Sequence, residues 1–206
     1  MRNRLILLST LIILAPKISI ASEAPSCIAS APSADYYFPQ NQLDPELEQD
    51  LDDTNRALYA STLSAINDPS FSCGFNERGL RFIWLRTNSN PVVIRVDGKY
   101  KDRQFKVTAT ELSARPPTVV RRETRVLNDA ERDKIRAMLA RSAVLTSPTE
   151  KSSPEPYTSQ WAFEYREEDR YYLVTRYSPS ANDDMRKIGA YLIELTGWKI
   201  SNDEIY

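Results

Sequence analysis

The chain has 206 residues, 27 of them basic and 28 acidic, for a formal net charge of −1. It has no histidine and two cysteines. These counts exclude Ser-His-Asp and Cys-His catalysis, histidine general bases and histidine-ligated metals, and leave too few thiolates for a structural zinc site. The charge balance gives no footprint for nucleic acid.

Residues 1–21 read as a secretory signal peptide. Arg2 and Arg4 form the positive start, Leu5 to Ala15 is mostly apolar, and Ser19-Ile20-Ala21 offers small residues at a cleavage site. Pro16 and Lys17 break the apolar run before it reaches the ~20 residues needed to cross a bilayer. The expected location is the periplasm or the secreted fraction, with no integral membrane segment after cleavage. Removing this segment leaves 24 basic and 28 acidic residues, a balance of −4.

In an oxidising compartment Cys27 and Cys73 are expected to form a disulfide, worth roughly 3–4 kcal/mol in the chain-entropy model. A lipid anchor at Cys27 is the alternative, but only the small residue before the cysteine fits a lipobox. Residues 22–43, rich in Ala, Ser and Pro, read as an irregular lead-in, with Tyr36, Tyr37 and Phe38 able to dock. Residues 44–206 read as a single domain.

Asp44 and Pro45 suit the start of a helix, and Leu47, Leu51, Leu58, Tyr59, Leu63 and Ile66 suggest its inner face. Asp52 and Asp53 are expected on its wet side. Leu80 to Thr87 is an apolar strand, and strands follow at Val92 to Val96, Phe105 to Leu112 and Val119 to Val126. The basic cluster Arg121, Arg122 and Arg125 reads as a solvated strand face. Asn128 and Glu131 form a capping-box pair ahead of a helix with Ile135, Met138, Leu139 and Ser142 inside. Val144 to Ser159 is expected as a mobile loop.

Gln160 to Tyr177 is the clearest hairpin. A turn at Glu168-Asp169 places Trp161 opposite Arg176, Phe163 opposite Val174, Tyr165 opposite Tyr172 and Arg166 opposite Tyr171. One face then carries Trp161, Phe163, Tyr165, Tyr172, Val174 and Arg176, and reads as core. The other carries Ala162, Glu164, Arg166, Tyr171, Leu173, Thr175 and Tyr177, and reads as mixed and wet. A last helix, capped by Asn182 or Ser180, buries Met185, Ile188, Tyr191, Leu192 and Leu195 and ends at Gly197. The order predicts an α+β fold: an antiparallel sheet of about five to six strands with helices packed mainly on one face.

Three segments carry a resemblance. Trp84-Leu85-Arg86-Thr87 followed by Pro91, Trp161 with Glu164, and Arg176-Tyr177-Ser178-Pro179 resemble motifs of an uncharacterised family of secreted proteins from Gram-negative bacteria. The match spans about residues 79–197. It departs at Tyr177, where the family has tryptophan, and at Asn88 to Asn90. The resemblance implies secretion and an intact fold and brings no known activity with it.

No cofactor site and no catalytic motif is visible. Glu164 and Asp169 are carboxylates that a histidine-free hydrolase could use, but nothing aligns them in a cleft. Ser178 and Ser180 lack a base. Arg86, Glu164, Arg176, Tyr171, Tyr177 and Trp161 are the candidate interaction or structural polar cluster, with cation–π contact expected between Trp161 and Arg176. The favoured expectation is a non-catalytic envelope protein that binds another protein, for instance an immunity or inhibitor protein. A structural or accessory envelope protein is the first alternative, and a carboxylate hydrolase the second.

Overall fold

In chain order the elements are β1 (Ser22–Glu23), α1 (Ala34–Tyr37), α2 (Gln49–Ala65), β2 (Arg78–Leu85), β3 (Val92–Gly98), β4 (Phe105–Leu112), β5 (Val119–Val126), α3 (Asp129–Arg141), β6 (Gln160–Glu167), β7 (Arg170–Tyr177) and α4 (Asp184–Leu195). The computed structural model describes residues 22–23 (backbone only), 30–43, 49–75, 77–98, 104–146, 159–200 and 205. Residues 1–21 and 44–48, Cys27, and residues 147–158 of the expected loop lie outside the described residues.

All pairings in the sheet are antiparallel, and its order is β1-β7-β6-β2-β3-β4-β5. Six long strands form its body, and the two-residue β1 adds to the β7 edge. The α+β class and the strand count are as expected. The hairpin register is also as expected: Trp161↔Arg176, Phe163↔Val174, Tyr165↔Tyr172 and Arg166↔Tyr171.

The helices do not lie mainly on one face. On one side Leu80, Phe82, Trp84, Val92, Ile94, Trp161, Phe163 and Val174 pack against Ile135 of α3 and against Met185, Ile188, Leu192 and Leu195 of α4. On the other, Ile83, Leu85, Val93, Leu112 and Ala162 pack against Tyr37, Phe38, Tyr59, Ala60 and Leu63 of the α1–α2 side. The reason lies in β2, which is apolar in both alternating phases and is buried on both. A strand of that kind requires cover on each side.

Two glycines permit close approach. A Cβ on Gly189 would come 2.3 Å from Cζ3 of Trp161, so glycine lets α4 lie against β6. A Cβ on Gly79 would meet Phe71 at 2.6 Å, where the stacked Phe71 and Phe75 rings cover the end of β2.

Helix ends follow local chemistry. The Asn128–Glu131 capping box forms as expected. Asp183, rather than Asn182 or Ser180, caps α4 by accepting from the Met185 N–H at 2.7 Å. Gly197 ends that helix at φ +70°. Helix α2 keeps Tyr59 and Leu63 on its inner face, with Ile66 buried just past its end, and departs from the expected face elsewhere. Leu51 and Leu58 are about half exposed, whereas Asp52, Arg56, Tyr59, Ala60 and Leu63 are buried. The helix is turned by its charges: Asp52 accepts from the Asn41 backbone N–H at 3.2 Å, and Arg56 donates to the Phe38 carbonyl and pairs with Asp35 and Asp53.

Candidate functional site

The six expected site residues fall on two faces of the sheet. Arg86, Trp161 and Arg176 share the α3–α4 side. Glu164, Tyr171 and Tyr177 share the α1–α2 side. Arg86 donates to the Asn90 carbonyl at 2.7 Å, reaches Glu111 at 3.4 Å and lies over the Trp84 ring at 4.8 Å. It closes the β2–β3 turn. Arg176 donates to the Thr175 carbonyl at 2.7 Å and lies 3.9 Å from Asp183. Trp161 stands opposite Arg176 in the register, and Arg186 of α4 lies over its ring at 5.5 Å.

Glu164 and Tyr171 belong to a buried ion network. The face expected to be wet is covered there: Glu164, Arg166, Tyr171 and Thr175 are all buried. Arg81 of β2 stands opposite Glu164, and its Nε donates to Oε2 at 2.6 Å. Tyr171 donates its hydroxyl to Oε1 of Glu164 at 2.9 Å. Nη1 of Arg81 donates to Asp68 Oδ1 at 2.7 Å and to the Pro69 carbonyl at 2.6 Å, and Arg95 reaches Asp68 Oδ2 at 2.5 Å. Phe71 lies over the Arg81 guanidinium at 4.4 Å. Arg81, Arg95 and Asp68 were outside the expected cluster. The signal for Arg81 was an arginine inside an apolar run that strand alternation placed in phase with Ile83.

Burial is the main influence on Glu164 and raises its pKa, against the pull of Arg81 and Tyr171. Burial works against the charge of Arg81, but Glu164 and Asp68 outweigh it and its pKa is raised. Burial pushes the Tyr171 hydroxyl well above its usual range, with Glu164 adding to the effect. The network fastens residues 68–71 to the sheet. Every oxygen of Glu164 faces a donor from the same chain, so the geometry is that of a clamp.

A different feature opens to solvent. Between α3 and the β2–β6–β7 end of the sheet lies a cleft of about 560 Å³. Its floor is made by Leu80, Val96, Leu127, Ile135, Leu139 and Tyr165. Around them stand Arg78, Arg132, Arg136 and Arg170, with Glu167 as the one carboxylate among the lining residues. Arg136 and Arg170 have side chains 63% and 58% exposed, which puts them at the mouth. Arg78 and Arg170 both pair with Glu167. Burial raises the pKa of Tyr165, while the nearby charges of Arg78, Arg170 and Arg136 act in the opposite direction.

None of the sequence's candidate residues lines this cleft. The signal for it was present but divided between distant segments, in the polar phase of α3 and in the tyrosines of the hairpin. The β5 arginines lie on a solvent-exposed strand, as expected, and also tie the layers together. Arg122 donates to the Ile66 carbonyl at 2.9 Å on one side. Arg125 donates to the Leu195 carbonyl at 2.9 Å on the other, and Arg121 lies over Trp198 at 3.7 Å. Among the described residues no helix is long and apolar enough to cross a membrane.

No protein-family model matches this chain, and the search of curated proteins found no match.

Proposed function

We propose that this chain is a non-catalytic binding protein of the cell envelope and that its binding site is the cleft between α3 and the sheet. The cleft itself carries the reading. Its volume lies within the roughly 300–1,000 Å³ of small-ligand sites, and an apolar floor with a few polar groups at the mouth is their usual chemistry. The sealed state of Glu164 supports binding over carboxylate catalysis, since that carboxylate is buried and held by Arg81 and Tyr171. Secretion through residues 1–21 and a Cys27–Cys73 disulfide belong to the same proposal. Cys73 is buried at the end of the clamped segment, a suitable place for such a tie.

The test is titration with N-phenyl-1-naphthylamine, an uncharged dye that brightens in apolar sites. One site per chain, lost in Ala140→Trp at the cleft wall, is expected. Equal binding by that variant counts against the cleft.

A second reading, a protein partner such as a toxin or wall hydrolase held by an immunity protein, has its own observation. Strand β5 is an edge strand whose Val119, Val120 and Val126 are 45–57% exposed. Such an edge can accept a strand from another chain. Thr124→Pro on β5 removes a ladder position, and loss of a copurified envelope protein in that variant alone supports this reading.

A further inference from the structure

The lining of the cleft also specifies what fits it. Four arginines against one glutamate surround an apolar floor, in a chain whose overall charge is slightly negative. Among its lining residues the cleft therefore carries a cationic excess that the chain as a whole does not. The tail of a ligand would lie on Leu80, Val96, Leu127, Ile135 and Leu139, four of which are at most 7% exposed, as in a protein core. Its head would meet guanidinium groups, whose planar forks match a carboxylate in two-point fashion.

The same arginines already grip carboxylates within the chain. Glu167 takes both Arg78 and Arg170, while Arg132 and Arg136 hold Asp129 and Asp133 at 2.9 and 3.5 Å. Asp129 and Asp133 are 87% and 60% exposed and stand outside the lining, so those two pairs are solvent-screened and exchange readily with an acid that also buries a tail. The Tyr165 ring on the floor, 6.0 Å from the Tyr172 ring, also lines the cleft and offers a hydroxyl.

We propose that the cleft binds a free alkyl carboxylate, its chain on the apolar floor and its head between Arg78, Arg136 and Arg170. This rests on reading the cleft as the binding site. It adds the class of ligand: a monomeric amphiphile with one acidic head.

The experiment is calorimetric titration of the purified chain with decanoate, decan-1-ol, decyl phosphate and decyltrimethylammonium, each below its aggregation concentration. Decanoate is expected to bind at one site, at least tenfold more tightly than decan-1-ol, with no binding of the cation. Octanoate is expected to bind more weakly by about fourfold per methylene removed. The double variant Arg136→Gln, Arg170→Gln is expected to weaken decanoate about tenfold and leave decan-1-ol unchanged. Both arginines are exposed, so folding, checked by circular dichroism, is preserved.

If decan-1-ol or the cation binds as tightly as decanoate, the acid preference is wrong while the cleft remains a binding site. If decyl phosphate binds tenfold more tightly than decanoate, the carboxylate head is wrong. If no alkyl compound binds, or binding is unaffected by Ala140→Trp, the ligand class and the cleft reading fall together.

Discussion

Arg81 on β2 and Glu164 on β6 stand directly opposite in the sheet, joined at 2.6 Å with neither side chain exposed to solvent. Two buried charges in one sheet are costly unless each is paired. Here Asp68 and Tyr171 complete the pairing, so residues 68–71 are held where they cover the end of the sheet.

Glu164→Gln leaves Arg81 with Asp68 as its one carboxylate partner among the described residues and is expected to destabilise the fold by about 3 kcal/mol, measured by urea unfolding at pH 7. Tyr171→Phe strands an acceptor and is expected to cost about 1–3 kcal/mol. The pH dependence has a definite sign. Burial raises the folded pKa of Glu164 above its ordinary 4.5, so the folded state takes up its proton first. The extra stability from that proton uptake is full below 4.5 and is lost as pH rises through the raised value. The stability gap between the wild-type protein and Glu164→Gln therefore does not close as pH falls towards 4.5. A gap that vanishes on acidification contradicts this.

Arg125 and Glu131 behave in the opposite way. The hydrogen bond from Arg125 lowers the Glu131 pKa, so that pair stabilises above 4.5 and loses its contribution as pH falls through the lowered value. Arg125 also caps α4 through the Leu195 carbonyl. Arg125→Gln is expected to cost about 1 kcal/mol near neutrality and less in acid, read from melting temperatures at several pH values. A cost that is constant with pH would leave only the α4 contact.

Gly189→Ala drives a methyl group into Trp161 and is expected to destabilise by about 1–3 kcal/mol, with a shift in tryptophan fluorescence. Unchanged stability would mean that α4 can move away from β6 without loss.

The proposed Cys27–Cys73 bridge predicts no maleimide labelling of the unreduced, denatured chain and labelling of two thiols after reduction. Labelling of both before reduction removes the bridge from the account.

The hairpin register was legible because aromatic and β-branched residues alternate from Trp161 to Tyr177 and the turn at Glu168-Asp169 leaves one pairing that buries them. The inner face of α4 was legible for the same reason, with Met185, Ile188, Tyr191, Leu192 and Leu195 at helical spacing and all buried. The inner face of α2 was legible only in part: Tyr59 and Leu63, with Ile66 just past the helix end, are buried as expected, but Leu51 and Leu58 are exposed while Asp52 and Arg56 are buried, and the lead-in residues Asp35, Phe38 and Asn41 explain that burial. Arg81 was visible as an exception in an apolar strand. Its partners lie 13 and 83 residues away in sequence, a distance that no local pattern spans. The cleft is less legible still. It is a gap between α3 and the sheet, and a gap depends on how far a helix stands off, which alternation does not encode.

Amide hydrogen exchange, measured with and without saturating N-phenyl-1-naphthylamine, tests the binding cleft most directly. A ligand in the cleft is expected to slow exchange in α3, in residues 78–80 and across the 165–172 turn, with the β5 edge unchanged. Slowing confined to β5, or to the clamp around Arg81 and Glu164, would contradict it.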